Sequence, residues 1–226
     1  MNLPTKITFS RIIAIAVMII TLVVLYFIGL ANPNFVIPNI PYSGPKEGIG
    51  VNWLYFGLFI FFLLASFTDY LDGHLARKNN QVTDLGKFLD PVADKLLVNS
   101  MVIFLIVPAS YANNQQMNFS LWCAILLIVR DIVVDALRFI AAQKGVVIAA
   151  NIFGKMKTVF EMIAVSLVLL NGWPFIYFDA GWLHGLRIAD FFVYIATAMS
   201  VISGVIYLAR YGYVLKEGKK DGSEQH

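Results

Sequence analysis

The stretch 69-DYLDGHLARKNNQVTDLGKFLDPVADK-95 decides the fold, because it places five aspartates between two strongly apolar runs. The chain has 226 residues, of which 59% are hydrophobic and 14% are charged, and its mean hydropathy is +0.73. A soluble domain usually carries about 25% charged residues. The composition therefore predicts an integral membrane protein, with the aspartates where its helices reach water.

The apolar runs predict membrane-spanning helices, since about 20 apolar residues cross the hydrocarbon core and a spanning backbone must satisfy its own hydrogen bonds. We expect an all-α integral membrane fold in one domain over residues 1–226, beginning with a short N-terminal interfacial helix in Met1–Arg11. The linker Ala31–Asn52, rich in proline and glycine, is expected to be a loop. Six transmembrane helices are predicted: Phe9–Leu30, Trp53–Ala76, Asp90–Ala112, Leu121–Ala142, Ile152–Trp173 and Ile188–Tyr211.

The distribution of lysine and arginine predicts the orientation. Lys46 and Arg187 alone fall on one side of the predicted spans, and the other basic residues outside the span interiors fall on the opposite side. The positive-inside rule then places both termini and the aspartate stretch on the cytoplasmic side of the inner membrane. The single cysteine, Cys123, lies in an apolar run, which excludes a disulfide framework or a cysteine zinc cluster.

The aspartates fall on two helical stripes at the ends of neighbouring spans. Residues three, four and seven positions apart share one face of a helix, and a short loop makes the two spans antiparallel neighbours. Asp84 is the exception, because it is predicted in the loop as a helix cap without a chemical role. The stripes are Asp69, Asp72, Gly73 and Ala76 on the second span, and Gly86, Asp90 and Asp94 on the third.

Four converging carboxylates require a cation, because unpaired buried charges are strongly destabilising. Oxygen ligands without histidine or cysteine partners favour Mg²⁺ or Mn²⁺ over zinc. Two such ions that clamp a phosphoryl group are a recurrent arrangement for displacement at phosphorus. Arg77 in the same stretch would suit further phosphate oxygens. The stripes therefore predict a site for two ions, Mg²⁺ or Mn²⁺, and a phosphorylated substrate.

This pattern resembles the complete signature of the CDP-alcohol phosphotransferase family, and the six-span architecture resembles that family over the whole chain. The resemblance implies a reaction in which an alcohol attacks the β-phosphorus of a CDP-linked lipid and releases CMP. It also implies a homodimer in a lipid bilayer. The signature matches at Asp69, Asp72, Gly73, Ala76, Arg77, Gly86, Asp90 and Asp94.

The resemblance assigns roles to these residues. Asp94 would share in the metal site and act as the general base on the acceptor hydroxyl, whereas the spacing alone does not separate Asp94 from Asp90 in this role. The metal ligands implied are Asp69, Asp72, Asp90 and Asp94, and the nucleotide-binding residues implied are Asp69, Gly73, Ala76, Arg77 and Gly86.

The acceptor is expected to be recognised by cations on the fourth and fifth spans. Arg130, Arg138, Lys155 and Lys157 would form an anion pocket suited to a phosphorylated polyol, since charges inside spans are functional by default. Two alternatives stay open at this point: the lysines could mark topology by reaching the interface, and Asp131 or Asp135 could neutralise a buried arginine.

The segments around these cations resemble the bacterial glycerophosphate branch of the family, which implies CDP-diacylglycerol and sn-glycerol 3-phosphate as substrates. The opening segment from Asn2 to Arg11 resembles that branch too, whereas Asp131 and Glu161 stand where glutamate and glutamine are usual. The alternatives are the same chemistry with another alcohol, such as inositol phosphate, and a cation transporter. A transporter is expected to carry its acids nearer the membrane midplane. No nucleic-acid partner is expected.

Overall fold

The structure is a computed structural model that describes residues 3–32, 34–41, 50–78, 84–107, 117–149, 151–178 and 187–215. Within α-helices and strands it describes backbone alone at 3–5, 41, 70–78 and 84–88. The described residues form six α-helices and one small antiparallel hairpin. The helices are α1 (Leu3–Ala31), α2 (Trp53–Lys78), α3 (Asp84–Ile106), α4 (Leu121–Gln143), α5 (Ile152–Leu169) and α6 (Ile188–Tyr211).

The all-α architecture and the apolar helices are those expected of a membrane protein. Lys6–Ala31 and Ile188–Leu215 are long and apolar enough to cross a bilayer, and Trp53–Asp69 is a shorter apolar segment. On α1, large apolar side chains such as Val17, Ile20 and Phe27 point outward and are 57%, 63% and 62% exposed. Such a continuous apolar surface fits contact with lipid rather than with water.

The N-terminus differs from the prediction of a separate interfacial helix. The first helix is continuous from Leu3 to Ala31, without a break near Arg11. Thr8 and Arg11 are buried, at 1% and 5% exposure, and bond to aspartates of other helices. The start of the chain therefore packs into the bundle, because those polar contacts replace the membrane surface as its partner.

Other boundaries differ at turns. α3 begins at Asp84, six residues earlier than predicted, and continues through Pro91. α5 ends at Leu169 because Asn171 and Gly172 have φ angles of 54° and 83°, in the left-handed region that terminates helices. α6 matches its predicted bounds, and Asp190 in its first turn accepts a hydrogen bond from the Arg187 backbone nitrogen at 2.8 Å.

The linker predicted as a loop contains the hairpin, formed by β1 (Asn39–Pro41) and β2 (Gly50–Asn52). Ile40 pairs with Val51 at the centre of its register. The core lies between the helices, where Tyr55, Phe62 and Met101 are fully buried. Of all helix pairs, α5 and α6 pack most extensively, and α6 also packs along α4. This arrangement brings one end of each helix to the aspartates and leaves the hairpin at the other end.

Candidate active site

The first helix positions aspartates of both neighbouring helices, at what we call the aspartate end of the bundle. Thr8 Oγ1 donates a hydrogen bond to Asp90 Oδ1 of α3 at 2.9 Å. One turn further along α1, Arg11 Nη1 forms an ion pair with Asp69 Oδ1 of α2. Charge-assisted contacts of this kind fix a carboxylate more firmly than neutral hydrogen bonds do. α1 therefore orients Asp69 and Asp90 before any ligand arrives.

Asp94 lies one turn after Asp90 on α3, and its side chain is exposed. The charges of Asp69, Arg11 and Lys157 all act on its carboxylate, so four helices contribute to its surroundings. A general base must be within reach of the hydroxyl that it deprotonates. The exposed carboxylate is open to a substrate hydroxyl, and the role of Asp94 as general base stays a prediction.

The carboxylate oxygens of Asp69 and Asp90 are the type of ligand that a hard divalent cation prefers. Asp69 and Asp90 each use Oδ1 for the contact with α1, and a carboxylate has a second oxygen with which it can bind a cation. Among the side chains that the structure describes, no three from histidine, cysteine, aspartate or glutamate are grouped closely enough to hold a metal. The side chain of Asp72, another predicted ligand, is not among the described side chains, so the complete set of four metal ligands stays a prediction.

The predicted nucleotide-binding residues lie where the structure describes the backbone alone. Their roles stay predictions, although the backbone places them beside the described aspartates, in the last turns of α2 and the first turn of α3. These residues, together with the fourth predicted metal ligand, are Asp72, Gly73, Ala76, Arg77 and Gly86.

Two of the predicted acceptor cations belong to a buried ion cluster formed by Arg130, Asp131, Lys157 and Glu161. Lys157 Nζ lies 2.7 Å from Asp131 Oδ2 and 2.6 Å from Glu161 Oε2. Arg130 Nη1 lies 3.0 Å from Asp131 Oδ1. Lys157 is 3% exposed, so it does not reach the interface as a topology marker would. Two cations and two carboxylates cancel in formal charge, which makes the cluster a buried tie between α4 and α5.

The other two cations are exposed. Lys155 lies on the outer face of the first turn of α5, and Arg138 lies two turns beyond Arg130 on α4. A cavity of about 430 Å³ opens beside Arg138 and is otherwise lined by Ala142, Gly145, Val146, Val147 and Ile148. Its volume is within the range of small-molecule sites, about 300–1,000 Å³. Arg138 is therefore the predicted acceptor cation with the most open surroundings.

The cations and the aspartates share one electrostatic environment. Lys95 of α3 forms an ion pair with Asp135 of α4, next to the general-base candidate. The charge of Asp94 acts on Glu161, and the charge of Lys157 acts on Asp94. The Lys95–Asp135 ion pair thus joins α3, which carries Asp94, to α4, which carries part of the buried ion cluster.

Sequence reasoning missed the contribution of α1 and α6 to this site. Thr8 and Arg11 were interpreted as part of a surface helix, although both contact the aspartates. Ser203 and Tyr207 of α6 bond to Arg130 and Arg138. The available signal was a polar pair three residues apart in α1 and four residues apart in α6, since such pairs in a strongly apolar helix share one face and need partners.

Residues 1–206 match the family described as CDP-alcohol phosphatidyltransferase. The chain belongs to that family. It is 36% identical over 219 residues to the CDP-diacylglycerol–glycerol-3-phosphate 3-phosphatidyltransferase of Bacillus subtilis (strain 168), covering 95% of this chain and 97% of that relative.

Two further relatives carry the same name. The protein from Rickettsia bellii is 31% identical over 208 residues, which cover 91% of this chain and 93% of that relative. The protein from Wigglesworthia glossinidia brevipalpis is 33% identical over 174 residues, which cover 75% of this chain and 77% of that relative. The likeness therefore extends over both the aspartate helices and the helices that carry the acceptor cations.

Proposed function

We propose that this protein transfers a phosphatidyl group from CDP-diacylglycerol to sn-glycerol 3-phosphate, which gives phosphatidylglycerophosphate and CMP. The observation that carries the proposal is that α1 holds Asp69 and Asp90 of two neighbouring helices, next to the exposed Asp94. A metal-binding carboxylate, an exposed base and cations for a phosphate are the parts that this reaction needs. The relatives that share most of the chain's length support the choice of both substrates.

The chemistry at the aspartate end is a displacement at phosphorus. The acceptor hydroxyl oxygen forms a bond to the β-phosphorus of the CDP-lipid, and the bond from that phosphorus to the bridging oxygen breaks. CMP leaves with the bridging oxygen, and the hydroxyl proton passes to Asp94. Arg11, which holds Asp69, adds a fixed positive charge beside the place where negative charge develops.

Mg²⁺ or Mn²⁺ is the cofactor that we propose for this site. Asp69, Asp72, Asp90 and Asp94 would hold it, as two ions, through their carboxylate oxygens. When bound, the ions would neutralise the pyrophosphate and stabilise the charge that develops on the departing CMP.

We also propose that the aspartate end and both termini face the cytoplasm, with all six helices spanning the inner membrane. The buried Cys123 can be replaced by alanine, and single cysteines can then be introduced near each terminus. Labelling by a membrane-impermeant thiol reagent in intact spheroplasts should fail at both and succeed after lysis. The homodimer implied by the family resemblance is a proposal as well, for which cross-linking in membranes is the test.

The acceptor is tested by supplying the purified protein with CDP-diacylglycerol and one candidate alcohol at a time. We expect CMP release with glycerol 3-phosphate and background release with glycerol, serine or inositol phosphate. CMP release that depends on inositol phosphate, and not on glycerol 3-phosphate, would contradict the proposed acceptor. The absence of CMP release with every alcohol, in a protein that moves cations across vesicles, would favour the transporter alternative.

A further inference from the structure

Tyr207 of α6 lies between the two arginines that were predicted to bind the acceptor. Its side chain is 1% exposed. Its hydroxyl accepts hydrogen bonds from Arg138 Nη2 at 2.8 Å and from the Asn151 backbone nitrogen at 2.8 Å, and it lies 3.3 Å from the Ala149 carbonyl oxygen, to which it donates. A tyrosine hydroxyl that donates once and accepts twice has used its hydrogen-bonding capacity. The hydroxyl is therefore fixed, and it fixes Arg138 in turn.

The ring of Tyr207 also contacts both guanidinium groups. Arg138 Cζ lies 5.1 Å from the ring centroid, and Arg130 Cζ lies 5.9 Å from it. Both distances are within the range of cation–π attraction, about 6 Å. One aromatic ring therefore attracts both guanidinium groups and helps to hold each in place.

Small residues of α5 and α6 pack closely around the Arg130 side chain. Ser203 Oγ, one turn before Tyr207, accepts a hydrogen bond from Arg130 Nη2 at 2.5 Å. A Cβ atom on Gly204 would lie 3.1 Å from Arg130 Cγ, and one on Gly154 would lie 3.3 Å from Arg130 Nη2. Both spacings are tighter than ordinary contact, so the backbones of α5 and α6 approach Arg130 as closely as glycine allows.

We propose that Tyr207 is a positioning residue for the acceptor, which orients the exposed Arg138 toward the phosphate of a phosphorylated polyol and keeps Arg130 in place behind it. The proposal rests on the proposed function, and it deepens that function by assigning α6 a role in acceptor recognition. A guanidinium group that is already oriented binds phosphate with a smaller loss of side-chain freedom. The residue lies one position beyond the segment that matches the family.

The test is Tyr207→Phe, with Tyr211→Phe as its matched control. Tyr211 is one turn further along α6, and its ring lies 6.3 Å from that of Tyr207. In Tyr207→Phe we expect the KM for glycerol 3-phosphate to rise about tenfold or more, because a hydrogen bond to a charged group is lost. The KM for CDP-diacylglycerol should stay unchanged, and the melting temperature should fall slightly, because the Asn151 backbone nitrogen loses its partner. Tyr211→Phe should leave all three values unchanged.

A double-mutant cycle shows whether Tyr207 acts through Arg138. If it does, Arg138→Lys raises the acceptor KM strongly in the wild-type background and much less in the Tyr207→Phe background. If the double variant shows the product of the two single fold-increases in acceptor KM, the proposal is overturned. An unchanged acceptor KM in Tyr207→Phe would also overturn it. If Tyr207→Phe does not fold, Tyr207→Leu replaces it, because leucine keeps an apolar side chain in the core and removes the hydroxyl. A rise in the acceptor KM is then expected, and an unchanged KM would overturn the proposal.

The same measurements separate the two proposals. Wild-type protein that does not use glycerol 3-phosphate would overturn the proposed function, and this inference with it. Wild-type protein that uses glycerol 3-phosphate, with a Tyr207→Phe variant of equal acceptor KM, would overturn the role of Tyr207 alone.

Discussion

The two ends of the bundle both concentrate polar side chains, but they use them differently. At the hairpin end, Asn171 is 1% exposed, and its Oδ1 accepts hydrogen bonds from the Met117 backbone nitrogen at 2.8 Å and from Arg187 Nη1 at 3.0 Å. Its Nδ2 donates to the Gly50 carbonyl oxygen at 3.0 Å. The neutral, buried amide of Asn171 thus joins the segments that contain Gly50, Met117 and Arg187.

At the aspartate end, the partners are ionised groups on five helices, and some of them stay exposed. Asp94 and Arg138 are accessible, whereas Lys157 and Glu161 behind them are buried. This difference shows that a dense cluster of polar side chains is not by itself an active site. A structural cluster satisfies all its members internally, whereas a reactive one keeps particular charges turned toward space that a ligand can occupy.

Metal removal should have the largest effect on activity, and it should act only through the aspartate end. Treatment of the purified protein with EDTA should abolish CMP release, and Mg²⁺ or Mn²⁺ should restore it, because the aspartate end needs cations and the hairpin end does not. Binding of Mn²⁺, followed by electron paramagnetic resonance, should be lost in Asp69→Asn and retained in Asp190→Asn at the hairpin end. Full activity in metal-free buffer would contradict the account.

Replacing the proposed base should be nearly as severe. In Asp94→Asn, kcat should fall by about 10²–10⁴-fold, since that is the usual contribution of a general base. The fold should persist, because Asp94 is exposed and asparagine has the same shape. The matched control is Asp135→Asn, which removes a half-exposed ion pair with Lys95. Near-normal turnover in Asp94→Asn would remove the role assigned to that residue.

Breaking the buried ion cluster should damage stability as well as activity. Lys157→Met leaves two buried carboxylates without their shared cation, and breaking a buried pair typically costs about 3–5 kcal/mol. The melting temperature in detergent should fall markedly, whereas Lys155→Met, on the exposed side of the same turn, should change it little. Equal melting temperatures for the two variants would show that the cluster does not tie α4 to α5.

The smallest expected effect lies at the hairpin end. Asn171→Ala removes the partners of buried backbone groups, which costs about 1–3 kcal/mol. It also places alanine at a φ of 54°, in the left-handed region that asparagine tolerates better. Asn171→Gly removes the same hydrogen bonds but tolerates that φ, so it separates the two causes. Both variants should melt earlier than wild type and keep the KM for glycerol 3-phosphate. A changed KM would mean that the two ends are coupled.

The sequence was a good guide to features that depend on local pattern. The bounds of α6 match their prediction, and α4 begins at the predicted Leu121, because the run of apolar residues and its polar ends are local signals. The packing of α2 against α3 also agrees with the prediction, which rests on the short connection between them.

What the sequence could not predict was contact between distant segments. Thr8 bonds to Asp90 across 82 residues, and Arg138 bonds to Tyr207 across 69 residues. No local pattern encodes such pairings, since they depend on which helices pack together. The pairing of Asp131 with Arg130 was anticipated as one of two alternatives, and the structure shows it together with the contact to Lys157.

The most direct test of the central claim is to follow labelled acceptor into lipid. Purified protein is incubated with CDP-diacylglycerol and ¹³C-labelled glycerol 3-phosphate, and the lipid product and CMP are quantified by mass spectrometry. We predict labelled phosphatidylglycerophosphate in a one-to-one ratio with CMP, and neither product from Asp94→Asn. CMP released without label in the lipid, or a labelled lipid formed equally well by Asp94→Asn, would contradict the account.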